Sequence, residues 1–185
     1  MPVILTIILL VIIFAIFVMI TYNSLVSARN NVHNAWSQID VELQRRFDLI
    51  PNLVETVKGY MNHEESVLTK VTELRSSWGN ASSISEKAKL ENELTSTLSA
   101  ISVVAENYPD LKASEQYLNL QKNLSKIESE LQAARRIYNM EVTNYNTAIN
   151  VVPKNIVANM FGFKEEDLFE IEDSKRENIK VNFEE

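Results

Sequence analysis

The chain has 185 residues and a formal net charge of −7, with no cysteine, two histidines, three glycines and four prolines. That inventory excludes a disulfide framework, a thiolate nucleophile, a Cys-ligated metal and a His-rich metal site, so no cofactor is expected. It also disfavours all-β and α/β folds, which draw on Gly and Pro for a turn every 8–12 residues or so, and it points to an all-α chain.

The first element is a membrane segment. Val3 to Ile20 is an unbroken run of 18 residues with Thr6 as its single polar side chain. As a helix it covers about 27 Å, close to the thickness of a bilayer's hydrocarbon core. Tyr22 follows at the depth where amphipathic rings sit among headgroups. Val26-Ser27-Ala28 would serve as a signal-peptidase site. The alternative of a cleaved signal peptide is set against a start, Met1-Pro2, without Lys or Arg, and a run longer than the usual 7–15 or so. A retained anchor is therefore expected. Arg29 is the one basic residue near the segment, which taken alone favours a cytoplasmic domain.

From Leu25 the apolar residues recur at helical steps: Leu25, Val32, Trp36, Ile39, Leu43, Phe47, Ile50, Val54, Val57, Met61, Leu68, Val71, Leu74 and Trp78. This predicts one long helix with a buried stripe, kinked or reversed at Pro51, which has no N–H for the Phe47 carbonyl. Gly79-Asn80 predicts a left-handed stop. A second helix is expected from the capping box Ser83/Glu86 to just before Tyr108-Pro109. A third runs from about Asp110 to Asn150 on the stripe Tyr117, Leu120, Leu124, Ile127, Leu131, Ala134, Tyr138, Val142, Tyr145, Ile149. After Pro153, Lys154 to Met160 reads as a short fourth helix closed by Gly162. Beyond Phe163 the chain reads as irregular, with an alternating Ile179 to Phe183 that would suit a strand. From Lys164 onward nine acids face four bases. The preceding body, residues 24–163, holds 16 acids and 14 bases, which gives no electrostatic footprint for nucleic acid.

Lengths then create a packing problem. A helix from Asn23 to Trp78 would be about 84 Å long, and a second helix of 25 residues would return only about 37 Å. On this reading the third helix leaves the membrane again, and Leu25, Val32, Trp36, Ile39 and Leu43 lack a partner from their own chain. Either the chain doubles back at Pro51 or another protein covers that stripe, and these five residues form the candidate self-association interface.

A search for chemistry finds none. Glycines at 59, 79 and 162 alone leave no P-loop, GxGxxG turn or GxSxG elbow, and so no expected small-molecule substrate. His63-Glu64 opens like HExxH, but Val67 stands where the second histidine belongs. Arg45, Arg46 and Asp48 form a candidate polar docking patch for an acidic partner or lipid headgroups. Ion pairing along and between helices is the favoured explanation for them, as it is for Arg135-Arg136. Tyr138-Asn139 and Tyr145-Asn146 lie seven residues apart and face one way.

Several strings resemble the LemA family. They are Tyr22-Asn23-Ser24-Leu25-Val26, Ala35-Trp36-Ser37-Gln38-Ile39-Asp40-Val41 and Arg45-Arg46-Phe47-Asp48-Leu49-Ile50-Pro51-Asn52-Leu53-Val54-Glu55-Thr56-Val57-Lys58-Gly59-Tyr60. Tyr108-Pro109-Asp110-Leu111-Lys112-Ala113, Ala134-Arg135-Arg136-Ile137-Tyr138-Asn139, Tyr145-Asn146 and Gly162-Phe163 are similar in order and spacing. The resemblance covers about residues 22 to 170. It implies a bacterial envelope protein with one N-terminal membrane helix, an antiparallel helical domain outside the cytoplasmic membrane, and no enzymatic activity. Genes of that family often lie near membrane-protease genes, which makes such a protease a candidate partner.

The expectation is thus an all-α protein in three parts: a transmembrane anchor over 1–22, an elongated antiparallel helical bundle over 23–163 and an acidic tail over 164–185. The favoured function is a non-enzymatic structural protein of the envelope, partnered by the bilayer and forming homo-oligomers through the membrane-proximal stripe. The alternative is a scaffold or adaptor for a membrane protease or another envelope protein.

Overall fold

The structure is a computed structural model that describes residues 2–60 and 65–169. Seven helices carry the described residues: α1 Pro2–Asp48, α2 Ile50–Lys58, α3 Glu65–Asn80, α4 Ile84–Ala105, α5 Pro109–Lys112, α6 Glu115–Asn150 and α7 Lys154–Phe161. No strand occurs among them. The chain divides into two compact units. Of the described residues, the first takes 2–44 and 126–168, and the second takes 45–60, 65–125 and 169.

In the second unit, Pro51 produces a local interruption and no reversal. Leu49, the single residue between α1 and α2, keeps right-handed helical angles (φ −79°, ψ −15°) and serves as N-cap of a helix whose first turn holds Pro51. Proline suits that place, because the first N–H groups of a helix have no partner within it.

The reversal lies further on. α2 ends at Lys58, and the Tyr60 amide bonds the Val57 carbonyl at 3.0 Å. α3 comes back far enough for Trp78, near its end, to stack on Phe47, just before α2, with centroids 4.6 Å apart. The continuous helix expected from Asn23 to Trp78 is therefore divided, and α3 lies back along α2. A helical apolar step persists through that division, so periodicity alone passes over it.

α4 runs antiparallel to α3, since Lys70 pairs with Glu93 at 2.9 Å and the Lys87 ammonium sits over Trp78 at 4.8 Å. It starts on the expected capping box: the Glu86 amide donates to Ser83 Oγ at 3.1 Å, and the Ser83 amide donates to Glu86 Oε2 at 3.1 Å. Amide donors from Ser82 and Ser83 hold the Glu86 carboxyl below its ordinary range. Gly79, expected to stop α3 in a left-handed conformation, instead lies in its last turn, and Gly162 alone has positive φ among the described residues. The expected third helix is likewise split, α5 taking Pro109–Lys112 before α6 begins at Glu115.

In the first unit α1 and α6 lie antiparallel. Trp36 meets Tyr138 edge-on at 5.8 Å, while Tyr22 meets Phe161 and Phe163, just past the far end of α6, at 4.8 and 5.8 Å. α7 ends where expected. Gly162 takes φ 71°, its amide bonds the Asn159 carbonyl at 3.4 Å, and the Phe163 amide bonds the Ala158 carbonyl at 3.0 Å. Those are the paired bonds of a Schellman stop, for which glycine carries no Cβ penalty.

Candidate functional site

Side chains from Val3 to Ile16 are exposed throughout, as suits a helix that meets lipid on all sides. Protein contact begins at Phe17 and Val18, which are half-buried, and Thr21 is buried; Met19 and Ile20 remain exposed. From Leu25 upward one face of α1 is closed by its own chain. Leu25, Val32, Ala35, Ile39 and Leu43 are buried, as are Leu131, Ala134, Tyr138, Val142, Tyr145 and Ile149 on α6.

This corrects the expectation that the membrane-proximal stripe has no intrachain partner. Leu25, Val32, Ile39 and Leu43 are interior, and Trp36 is half-buried against Tyr138. The cause is that α3 lies back along α2. Omitting one reversal assigns the wrong direction to each later helix, so α6 was expected to run outward when it runs back along α1.

A third strand of chain finishes the unit. The Tyr138 hydroxyl donates to the Asp167 carbonyl at 2.8 Å, and the Tyr145 hydroxyl donates to the Lys164 carbonyl at 2.8 Å. Asn146 makes a two-way pair with Glu166: its Nδ2 donates to the carbonyl at 2.9 Å and its Oδ1 accepts from the amide at 3.0 Å. Residues 164–167 thus lie along α6 on bonds that take up backbone groups left without a helix or sheet partner. Burial, reinforced by the nearby Glu166 and Asp167 carboxylates, pushes the Tyr138 phenol up to about 12. Burial also raises that of Tyr145, against the opposing influence of Arg29. The seven-residue spacing of the tyrosines showed that they share a direction; the segment they hold carries no periodicity by which to find it.

In the second unit Arg46 is 4 % exposed and Glu91 1 %, and Arg46 Nη1 lies 2.6 Å from Glu91 Oε1. Thr95 Oγ1 donates to the same oxygen at 3.0 Å. Of the expected docking patch only Arg45 and Asp48 reach the surface, because Arg46 stands three residues after Leu43 on the buried face. Glu91 was overlooked among the functional side chains. It falls midway between Ala88 and Leu94 on the apolar stripe of α4, and a charged residue in that register signals a buried partner. Arg135 is also buried, while Arg136 is exposed.

A groove of about 480 Å³ lies open between α1 and α6 on one flank of the first unit. α1 supplies Ser37, Gln38, Val41 and Glu42 to it, and α6 supplies Glu130, Ala133, Ala134 and Ile137. Val41 and Ile137 are exposed apolar side chains there. No group of three or more potential metal ligands occurs among the described residues. His63 and Glu64 lie outside them, as does the alternating stretch Ile179 to Phe183.

The profile of the LemA family matches residues 35–183. The chain belongs to the LemA family. It is 30 % identical over 161 residues to protein LemA of Metamycoplasma hominis, covering 86 % of this chain and 74 % of that protein. It is 22 % identical over 175 residues to the magnetosome protein MamQ 2 of Paramagnetospirillum magneticum, and 22 % identical over 174 residues to MamQ of Magnetospirillum gryphiswaldense. Those matches cover 80 % of this chain and 64 % of each MamQ protein, so the chain spans just under two thirds of their length. An apolar N-terminal helix long enough to cross a bilayer, on a LemA-family chain, places the protein at a membrane.

Proposed function

We propose that this LemA-family chain is a non-enzymatic structural protein of the bacterial envelope, its helical domain held on the extracytoplasmic side by the Val3 to Ile20 anchor. Its copies associate in the plane of the membrane. The observation that carries this reading is the open groove between α1 and α6, floored by Ala133 and Ala134 and edged by Val41 and Ile137. Two antiparallel helices with small residues between them accept a third helix ridge into groove. Anchored copies meet at high effective concentration, so a modest apolar contact suffices for assembly.

The polar side chains support a structural role as well. Arg46, Glu91, Tyr138, Tyr145 and Asn146 are each engaged in holding helices or backbone together. The self-association surface moves from the buried stripe to this flank, because the stripe is occupied by α6.

Light scattering on the full-length protein extracted in detergent tests the reading. Wild type is expected as an oligomer, and Val41→Glu with Ile137→Glu as a smaller species of unchanged helix content. A monomeric wild type overturns self-association and leaves the groove to a different envelope protein, the scaffold reading. Antibody or protease access from the periplasmic face of intact spheroplasts checks the side; protection of the domain there contradicts it.

A further inference from the structure

We propose that α7 is a membrane-surface helix, with the exposed side chains of Val152, Ile156, Met160 and Phe161 set into the boundary between lipid headgroups and acyl chains. This rests on the membrane anchor and deepens it. On α7 Met160 is 60 % exposed and Ile156 56 %, although Val157 and Ala158 are buried, and Val152, just ahead of the helix, is 78 % exposed. An eight-residue helix that buries Val157 and Ala158 in its own protein and leaves Ile156 and Met160 bare, with Asn159 beside them, presents apolar side chains that need an apolar covering.

The register of the first unit identifies that covering as lipid. Trp36 lies level with Tyr138, and Arg29 lies close enough to Tyr145 to act on its phenol. Both helices rise by about 1.5 Å per residue, so Asn150 at the end of α6 comes level with Ser24, about 3 Å short of Tyr22, which follows the apolar run. α7 begins beyond that point, and its end returns to Tyr22 through Phe161. Half-burial of Phe17 and Val18, and burial of Thr21, are consistent with protein packed against the last turns of the membrane-spanning run itself. A segment at that depth has hydrocarbon and headgroups beside it.

Charge agrees with position. Asp40 is the first acidic residue of the chain, and from Val142 to Lys164 there is none, although the protein carries 25 acids in all. Both stretches that approach the membrane are therefore free of carboxylates, while Lys154 and Lys164 bracket α7. Lysine stems can lie along the apolar boundary with their ammonium groups among the phosphates. Tyr22 adds an amphipathic ring at headgroup level.

Because the chain has no cysteine, a single introduced one takes a nitroxide label cleanly. Full-length Ile156→Cys, Met160→Cys, Ile13→Cys and Val103→Cys proteins are placed in phosphatidylcholine–phosphatidylglycerol vesicles. Label relaxation by oxygen, which enters hydrocarbon, is compared with relaxation by a polar nickel chelate. Labels at 156 and 160 are expected to favour oxygen several-fold, as at Ile13 and opposite to Val103 on α4. If 156 and 160 instead behave like Val103 while Ile13 is immersed, this proposal alone fails. Shielding of both sites from both reagents means a protein covers α7, and also overturns it. An aqueous signal at Ile13 overturns the anchor and this proposal together.

Discussion

The two units of this chain close their interiors by different means. The first packs two long helices and then seals them with a stretch of irregular backbone, fixed by tyrosine hydroxyls and one asparagine. The second packs shorter helices and places an arginine–glutamate pair inside them. Neutral hydrogen bonds to backbone each contribute about 1 kcal/mol net, and losing one leaves a carbonyl that water can reach. A buried ion pair adds little against an apolar substitute, yet removing one partner leaves an uncompensated charge. The difference between the units is thus a difference in how sharply each responds to a single substitution.

The largest effect is expected at that pair. Glu91→Ala should cost roughly 3–5 kcal/mol by removing the carboxylate 2.6 Å from the buried Arg46 guanidinium. Arg46→Met with Glu91→Leu, by contrast, should recover most of the stability in urea unfolding. A double variant no more stable than Glu91→Ala would mean that the pair's attraction exceeds its desolvation cost.

The first unit should answer to alkali. Tyr138 has its phenol raised to about 12 from an ordinary 10.0. The neutral phenol is therefore favoured by folding, its contribution being complete below pH 10 and lost as the pH rises through about 12. Two pH units correspond to about 2–3 kcal/mol at most. Denaturant midpoints of wild type should fall across that window more steeply than those of Tyr138→Phe; parallel curves would remove Tyr138 as the cause.

Smaller effects come from the stops. Gly162→Ala should cost about 1–2 kcal/mol, because a Cβ at φ 71° meets the following carbonyl. Ser83→Ala should cost about 1 kcal/mol through the lost cap. Thermal melts followed by circular dichroism measure both. A Gly162 effect below the Ser83 effect would mean that the end of α7 is loosely held.

These differences also explain what could be read in advance. The interior of α6 was legible: nine of its ten expected stripe positions are buried and Leu124 is half-buried, because a three-to-four step leaves an unambiguous trace along one helix. The capping box at Ser83 and the stop at Gly162 were equally legible, each resting on residues whose chemistry acts locally. The return of α3 along α2 was not, since Met61 and Leu68 continue the apolar series. The return of α3 is marked by Phe47 meeting Trp78, a contact between distant residues. The placement of the site followed from that omission. Leu25, Val32, Trp36, Ile39 and Leu43 were rightly read as one face needing cover, and wrongly as lacking it within the chain. Arg46 and Glu91 reveal each other only once α1 and α4 are brought together.

Neighbouring positions on α1 test the central claim, that the stripe is interior while the outer flank is free to bind. Ile39 is buried and Val41, two residues on, is exposed. The measurement is the thermal unfolding midpoint of full-length Ile39→Glu and Val41→Glu in detergent. The account predicts a marked fall for Ile39→Glu, whose charge enters a closed interior, and a midpoint near wild type for Val41→Glu. Equal midpoints, or a greater loss at Val41, would contradict it.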